Sequence, residues 1–331
     1  MPDQYDFVAI GDTVTDAFIK LIDASVHCKI NHEDCELCMR FGDKIPYEEA
    51  DVVPAVGNSA NAAVAAAQLG LTSALVTNLG KDYYGDECLT SLTKSGVSTE
   101  FVKVHEGRKT NYHYVLWYED DRTILIKHEE YPYEMPEVRN PKWIYLSSLG
   151  QHSDDFHHKI EKYLTDHPGV KLAFQPGTFQ MKLGKERLAG FYKRCELFFC
   201  NKEEAERILG LPANTDIKEL LTAMHNIGPK IVVITDGPAG AYAFEDGKFW
   251  FMPPYPDPKP PYERTGAGDA FSSTVTVALA LGHDLPTALK WGPVNSMSVV
   301  QQVGAQAGLL TRQQIEEHLA KAPADYFPKE L

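Results

Sequence analysis

A chain of 331 residues has room for one large α/β domain or two small ones. Its 46 acids against 32 bases leave a net charge of −14, which argues against a nucleic-acid or anionic-membrane surface, since either needs clustered Lys and Arg. No basic-then-apolar leader and no apolar run near the ~18 residues of a membrane span occurs, so a cytoplasmic protein is expected.

Tyr5 to Ile10 is a short apolar run ending at Gly11, as expected of a central strand. Asp12 and Asp16 follow directly, where open α/β sheets bind ligands. A carboxylate there can accept hydrogen bonds from two neighbouring sugar hydroxyls, and a solvated turn is the plain alternative. The stretch from Phe18 to Pro54 shows mixed polarity and no helical period, so it reads as an excursion from the main sheet. It holds three of the six cysteines, Cys28, Cys35 and Cys38. Cys35-x-x-Cys38 spacing suits two thiolates on one metal, and Cys28 with His27 or His32 would complete a structural zinc site; three reduced thiols on a surface insertion are the alternative.

Small residues from Gly57 lead into an alanine-rich helix that stops at Gly70. Ser73 to Asn78 is a further strand, and a helix runs to Ser95. This alternation argues for a parallel sheet. From Tyr112 to Tyr118 a strand carries bulky groups on both faces and turns at Glu119 to Asp121 into a second strand, so both faces need cover. Lys142 to Ser148, Lys171 to Gln175, Leu197 to Asn201 and Lys230 to Thr235 are additional strands. Asp246-Gly247 signals a hairpin, and six prolines between Met252 and Tyr262 make a stiff, extended connection.

That connection ends at Thr265-Gly266-Ala267-Gly268-Asp269, after which no charge appears from Ala270 to Gly282. The charge-free run predicts a helix buried in the core. Its N-terminal N–H groups lack intrahelical partners and carry partial positive charge, and Gly266, Ala267 and Gly268 put no bulk in front of them. Asp269 in this first turn is placed to take a proton from a hydroxyl; an ordinary helix cap is the alternative. Further helices cover Thr287 to Gln302 and the segment after Thr311. No Walker A pattern, HExxH or serine nucleophile elbow occurs.

The stretch from Glu263 to Asp269 resembles the Asp-Thr-x-Gly-Ala-Gly-Asp signature of the ribokinase-like (PfkB) carbohydrate kinases, with Glu263 and Arg264 in place of the first two residues. The resemblance extends in order along nearly the whole chain. Gly57, Asn61 and the alanine-rich helix are similar to the family's Gly-Gly-x-x-x-Asn signature, with Val56 for the first glycine. Asn201 to Glu204 matches Asn-x-x-Glu, and Thr235 to Gly240 matches the Thr-x-Gly-x-x-Gly nucleotide loop. Gln175-Pro176-Gly177 stands where the family often shows Asp-Pro-Asn, so an acid is lost.

The resemblance implies a three-layer α/β sandwich over residues 1–331, with a central mostly parallel sheet and a small β lid from roughly 17–55 and 101–130. It implies ATP-dependent phosphoryl transfer to a hydroxyl of a small sugar or polyol, with Asp269 as base and Gly266, Ala267 and Gly268 holding developing negative charge. Asp16, with Asp12, Gly57 and Asn61, is expected at the acceptor. Asn201, Thr235, Gly237, Gly240 and Asn295 are expected at the nucleotide, and Glu204 orders Mg2+ through water. Lids of two subunits pack together in several relatives, so a homodimer through the lid is a further expectation. The rival functions are a nucleoside kinase of the same superfamily and a non-catalytic nucleotide-binding sensor.

Overall fold

The structure, a computed structural model, describes residues 4–28, 35–119 and 121–331. The chain opens with strands β1 (Phe7–Ile10) and β2 (Val14–Leu21), the short β3 (Ser25–His27) and β4 (Glu36–Cys38), and the long β5 (Tyr47–Val56). Helix α1 (Asn58–Gln68), β6 (Ser73–Gly80), α2 (Tyr83–Lys94) and β7 (Val102–His105) follow, then β8 (Asn111–Tyr118) and β9 (Asp121–Leu125). Next come β10 (Trp143–Leu146), α3 (Asp154–Asp166), β11 (Lys171–Phe174), α4 (Thr178–Leu183), α5 (Ala189–Arg194) and β12 (Leu197–Asn201). Helices α6 (Lys202–Leu209) and α7 (Ile217–Asn226) lead to β13 (Ile231–Thr235), β14 (Ala241–Glu245) and β15 (Lys248–Met252). Helices α8 (Ala267–Ala280), α9 (Leu285–Val299) and α10 (Arg312–Ala320) precede the short β16 (Lys329–Glu330).

Ten strands form one sheet in the order β16-β15-β14-β13-β12-β11-β10-β1-β6-β7. The run from β13 to β7 is parallel, and β14, β15 and β16 add antiparallel pairs at one edge. Strand periodicity of two explains why the central segments are apolar throughout. Phe7, Ala9, Trp143, Tyr145 and Val233 enter the core shared with α1, α8 and α9. Their neighbours Val8, Ile10, Ile144, Leu146 and Val232 enter the core on the other face with α3, α5 and α7. Helices on both faces of a mostly parallel sheet make the three-layer sandwich expected from the sequence.

A second sheet of four strands, in the order β5-β2-β8-β9, stands beside the first. Here β2 and β8 are parallel, while β5 and β9 are antiparallel at the edges. Asp16 therefore lies inside a strand, not in the turn after β1. The segment read as an excursion supplies β3, β4 and β5, with β3 and β4 forming a separate two-stranded ribbon.

That ribbon corrects the zinc expectation. Its register pairs Ser25 with Cys38 and His27 with Glu36, which brings the next opposing positions, Cys28 and Cys35, together in a disulfide. Two of the three thiolates are thereby consumed, and Cys38 is left as a free thiol. No group of three potential ligands is assembled among the described residues; His32 lies outside them. No helix among the described residues is long and apolar enough to cross a membrane.

Helices α8 and α9 carry the site's main motif and pack closely. A β-carbon at Gly292 would lie 2.8 Å from the Phe271 ring and 2.9 Å from Val275. Gly292→Val is expected to destabilise the protein by about 1–3 kcal/mol through overpacking, read as a lower denaturant midpoint at unchanged m-value.

Candidate active site

The motif residues gather at the C-terminal edge of the parallel strands. Asp12 follows β1, Gln175 follows β11, Asn201 ends β12 and Thr235 ends β13. Open α/β sheets present their ligand crevice at this edge. Helices α1 and α8 point their N-termini into it, capped by Gly57 and Gly266.

Asp269 occupies the third position of α8 and is only partly exposed. Three side-chain amides donate to its carboxylate. Asn58 Nδ2 and Gln175 Nε2 reach Oδ1 at 2.8 and 3.1 Å, and Asn61 Nδ2 reaches Oδ2 at 2.8 Å. Oδ2 thus keeps acceptor capacity for a hydroxyl proton. Burial pushes the Asp269 carboxyl up; the bonds from Asn61, Gln175 and Asn58 and the charge of Arg122 pull it partly back. The balance lies above the ordinary Asp range, which suits a base better than a carboxylate locked by an ion pair.

The donors are themselves held. Asn61 Oδ1 accepts from Gln306 Nε2 at 2.9 Å, and the same nitrogen donates to the Ala55 carbonyl at 2.7 Å. Gln175 Oε1 accepts from the Tyr145 hydroxyl and lies 3.1 Å from Ser272 Oγ. Tyr145 is fully buried, and burial first, then the Asp269 charge, keeps its hydroxyl protonated as a donor.

Ahead of Asp269, the first i→i−4 bond of α8 runs from Ala270 to Gly266, so the turn that includes Gly268 presents its N–H groups forward. A cavity of about 450 Å³ opens there, lined by Thr235, Gly237, Gly240, Arg264, Ala267, Gly268, Ser296 and Met297. It unites the predicted nucleotide loop with the predicted anion hole. Asn295 is corrected: it is fully buried, donates to Thr274 Oγ1 and accepts from the Leu310 N–H, so it ties α9 to α8. Its neighbours Ser296 and Met297 line the cavity instead.

Asn201 and Glu204 cap α6 reciprocally, Asn201 Oδ1 accepting from the Glu204 N–H and Glu204 Oε2 accepting from the Asn201 N–H. Asn201 is exposed and outside the cavity lining; its part is to orient Glu204. Burial raises the Glu204 carboxyl, the bond from the Asn201 N–H and the charge of Arg207 lower it, and the Asp269 charge raises it further. A single protein carboxylate here would leave most positions of a divalent cation to water and phosphate, as magnesium prefers.

The two early aspartates take different parts. Asp12 is buried and satisfied from within: the Tyr133 hydroxyl donates at 2.9 Å, the Gly150 N–H at 2.7 Å, and His128 Nδ1 sits 3.3 Å away. This corrects Asp12 from acceptor ligand to framework. Asp16 is also buried, 8% exposed, yet its Oδ1 finds no hydrogen-bond donor among the described residues. His113 Nδ1 stands 3.4 Å from it in poor geometry, and His113 Nε2 is likewise buried and without a partner among the described residues. His113 packs on His128 at 5.2 Å, and His128 meets Phe179 edge-on. A crevice of about 150 Å³ continues from Asp12 between His128, Tyr133, Gln151 and Phe179.

The sequence does not mark Asn58, His113, His128 or Arg122 as site residues, and it marks Gln175 only as a departure from the signature and Gln306 only as part of a segment resembling the nucleotide side. Asn58 has a local signal, since it lies three positions before Asn61 on one face of a first turn.

Gly266 and Gly268 separate folding from chemistry. Gly266 has φ +82°, and a methyl there would sit 2.2 Å from the Ala305 Cβ; at Gly268 no heavy atom lies within 4 Å. Gly266→Ala is expected to lower thermal stability. Gly268→Ala should keep it or raise it by roughly 0.5–1 kcal/mol, while turnover falls because the methyl occupies the approach to the α8 N–H groups. Melting curves beside steady-state rates check both.

The comparisons with known proteins agree with this arrangement. The model of the pfkB family of carbohydrate kinases matches residues 5–312. Ribokinase of Bacillus subtilis strain 168 is 27% identical over 270 residues, covering 80% of this chain and 87% of its own. Cytidine kinase of Thermococcus kodakarensis is 29% identical over 254 residues, covering 75% and 88%. Among solved structures, Arabidopsis thaliana ribokinase complexed with ribose and ATP superposes with a TM-score of 0.79 at 21% identity, covering 96% of this chain and 99% of that one. The chain belongs to the pfkB family of carbohydrate kinases, phosphotransferases that use a hydroxyl as acceptor.

Proposed function

We propose that the protein transfers the γ-phosphoryl group of ATP to a hydroxyl of a small sugar or polyol, with Asp269 as the base. The observation that supports this reading is the pair of polar atoms at Asp16 and His113 that find no partner among the described residues, together with an Asp269 carboxylate to which three side-chain amides donate. Buried polar atoms without partners are costly, and adjacent sugar hydroxyls would supply both a donor to Asp16 and a partner to His113. Ribose and ATP in the Arabidopsis neighbour agree with this choice of substrates.

In this reading the donor lies in the 450 Å³ cavity, with its phosphates toward Gly268. The N–H groups of the first turn of α8 stabilise charge on the transferred group. Asp269 Oδ2 accepts the hydroxyl proton, while Asn58, Asn61 and Gln175 keep the carboxylate aimed. Glu204 would hold magnesium through water, and the ion would supply charge neutralisation on the phosphates. Most of the strand-forming part of 17–55 and of 101–130 lies in the four-stranded sheet, while β7 stays with the large sheet. The four-stranded sheet serves as a lid over the acceptor. Its outward Tyr114 and Leu125 are exposed and paired across β8 and β9, a surface suited to a second lid in a homodimer.

A nucleoside acceptor is the second reading. The crevice beside Asp12 offers the ring faces of Phe179 and His128 to a planar base. Product mass from a panel of pentoses, hexoses, polyols and nucleosides with ATP decides: phosphorylation of nucleosides alone removes the sugar assignment, and ATP binding without any product removes the kinase reading.

Asp269→Asn is expected to retain ATP and acceptor binding while kcat falls on the order of 10²–10⁴-fold. In the parent enzyme activity should fall on acidification with a midpoint above the ordinary Asp value of 3.8, because the folded carboxyl is shifted upward. A variant with undiminished turnover, or an acid midpoint below that value, rejects the assignment.

A further inference from the structure

Gln175 is the position at which the family signature is broken, and the structure gives that exchange a physical meaning. Its amide sits between two kinds of partner. Oε1 faces hydroxyls, from Tyr145 and from Ser272 Oγ at 3.1 Å, and those two hydroxyls are 2.8 Å apart. The Tyr145 hydroxyl donating on one side turns the NH2 group to the other, where it meets Asp269 Oδ1 at 3.1 Å. Ser272 Oγ also lies 2.8 Å from the Gly268 carbonyl, so the same hydroxyl touches the turn that carries the anion hole. The backbone behind Gln175 is pinned as well. The Gly177 N–H donates to Gln180 Oε1 at 2.8 Å, and Gln180 Nε2 donates to His157, whose Nδ1 bonds the Ser153 carbonyl. Gln180 and His157 are both buried, and burial holds His157 neutral, leaving its Nε2 as the acceptor that Gln180 needs.

We propose that Gln175 is a positioning residue for phosphoryl transfer: oriented by the Tyr145 hydroxyl, its amide fixes which oxygen of Asp269 faces the acceptor. The charges of Arg122 and Glu204 also act on that carboxylate, so the amide's share is read against both. The proposal rests on Asp269 being the base. A glutamate at this position, with its carboxylate where the amide lies, would face the Asp269 carboxylate directly, and the two would compete for a proton. The glutamine removes that repulsion. With Gln175 in place, Oδ1 carries two donors and Oδ2 one, so the less occupied oxygen is the one left for the hydroxyl.

The test is the pH profile of kcat/KM for the parent, Gln175→Ala, Gln175→Glu and Tyr145→Phe, with Asp269→Asn as reference. In Gln175→Glu the acid limb should move up by roughly one pH unit or more. Gln175→Ala and Tyr145→Phe should move it in the same direction by less and lower kcat, with KM for ATP unchanged. Adding back a glutamine side chain elsewhere cannot mimic this, and loss of packing alone would leave the limb where it was. If Gln175→Ala or Gln175→Glu does not fold by circular dichroism, Tyr145→Phe, which keeps the ring in its core site, decides alone. Acid limbs coincident with the parent in every folded variant overturn the proposal, provided Asp269→Asn is inactive. Turnover by Asp269→Asn instead removes the base assignment on which it stands.

Discussion

The structure depends on keeping one half-buried carboxylate aimed and hydrogen-bonded by side-chain amides. A guanidinium or ammonium against Asp269 would hold it ionised and, by the same attraction, make it a poor base. Three amides do less: they replace part of the lost water and leave the carboxyl raised. That compromise needs donors from two separate parts of the chain, the first turn of α1, 211 and 208 residues away from Asp269, and the end of β11, 94 residues away. Bringing them together is what the packing of α1 against α8 and the end of β11 accomplish. The two helix N-termini add a partial positive field at the same spot, alongside the charge of Arg122.

An acidic chain that binds a polyanionic donor has to make its positive potential local. Here the cavity wall combines the α8 N-terminus with Arg264, which stands where the family signature has threonine. Asp257 shares that wall, and its carboxyl is pushed up by burial and pulled down by Arg264. The rest of the lining is largely proline, aromatic and aliphatic, including Pro238, Tyr255, Pro261, Phe271 and Val300. Low-dielectric walls strengthen the few charges present. Net charge is therefore informative about extended surfaces and silent about such a pocket.

What could be read from the sequence follows from how local its cause is. The central strands announced themselves because both faces are buried, and α8 because it carries no charge after Asp269. Strand β5 gave no such signal. Tyr47-Glu-Glu-Ala-Asp leaves four consecutive exposed positions, and the strand exists because β2 pairs with it. The cysteine spacing suggested metal, but the ribbon register set Cys28 opposite Cys35, a relation that spacing alone does not contain. Asp12 and Asp16 looked equivalent four residues apart. Only the long-range contacts with Tyr133 and Gly150 show that the first is spent on the framework. Gln175 was visible as a departure from the signature, and its meaning required Tyr145 and Ser272 in three dimensions.

The division between the two sheets then has a mechanical logic. Asp269, its anion-binding turn and its amides ride on helices and strand ends anchored in the ten-stranded sheet, whose side chains are buried on both faces and cannot shift independently. Asp16 and His113 belong to the small sheet, whose β9 edge and outer faces are exposed. On the proposed reading, the reacting groups sit where packing permits the least motion, while the groups that would meet the acceptor sit where strand pairing alone fixes them. A change of acceptor would then need only new side chains on the small sheet and the crevice beside it, whereas a change at Asn61 or Gln175 would disturb the proposed base itself. This is why the signature residues cluster on the large sheet, and why Val56, at the end of β5 and opposite Val14, falls at the seam where selection meets chemistry.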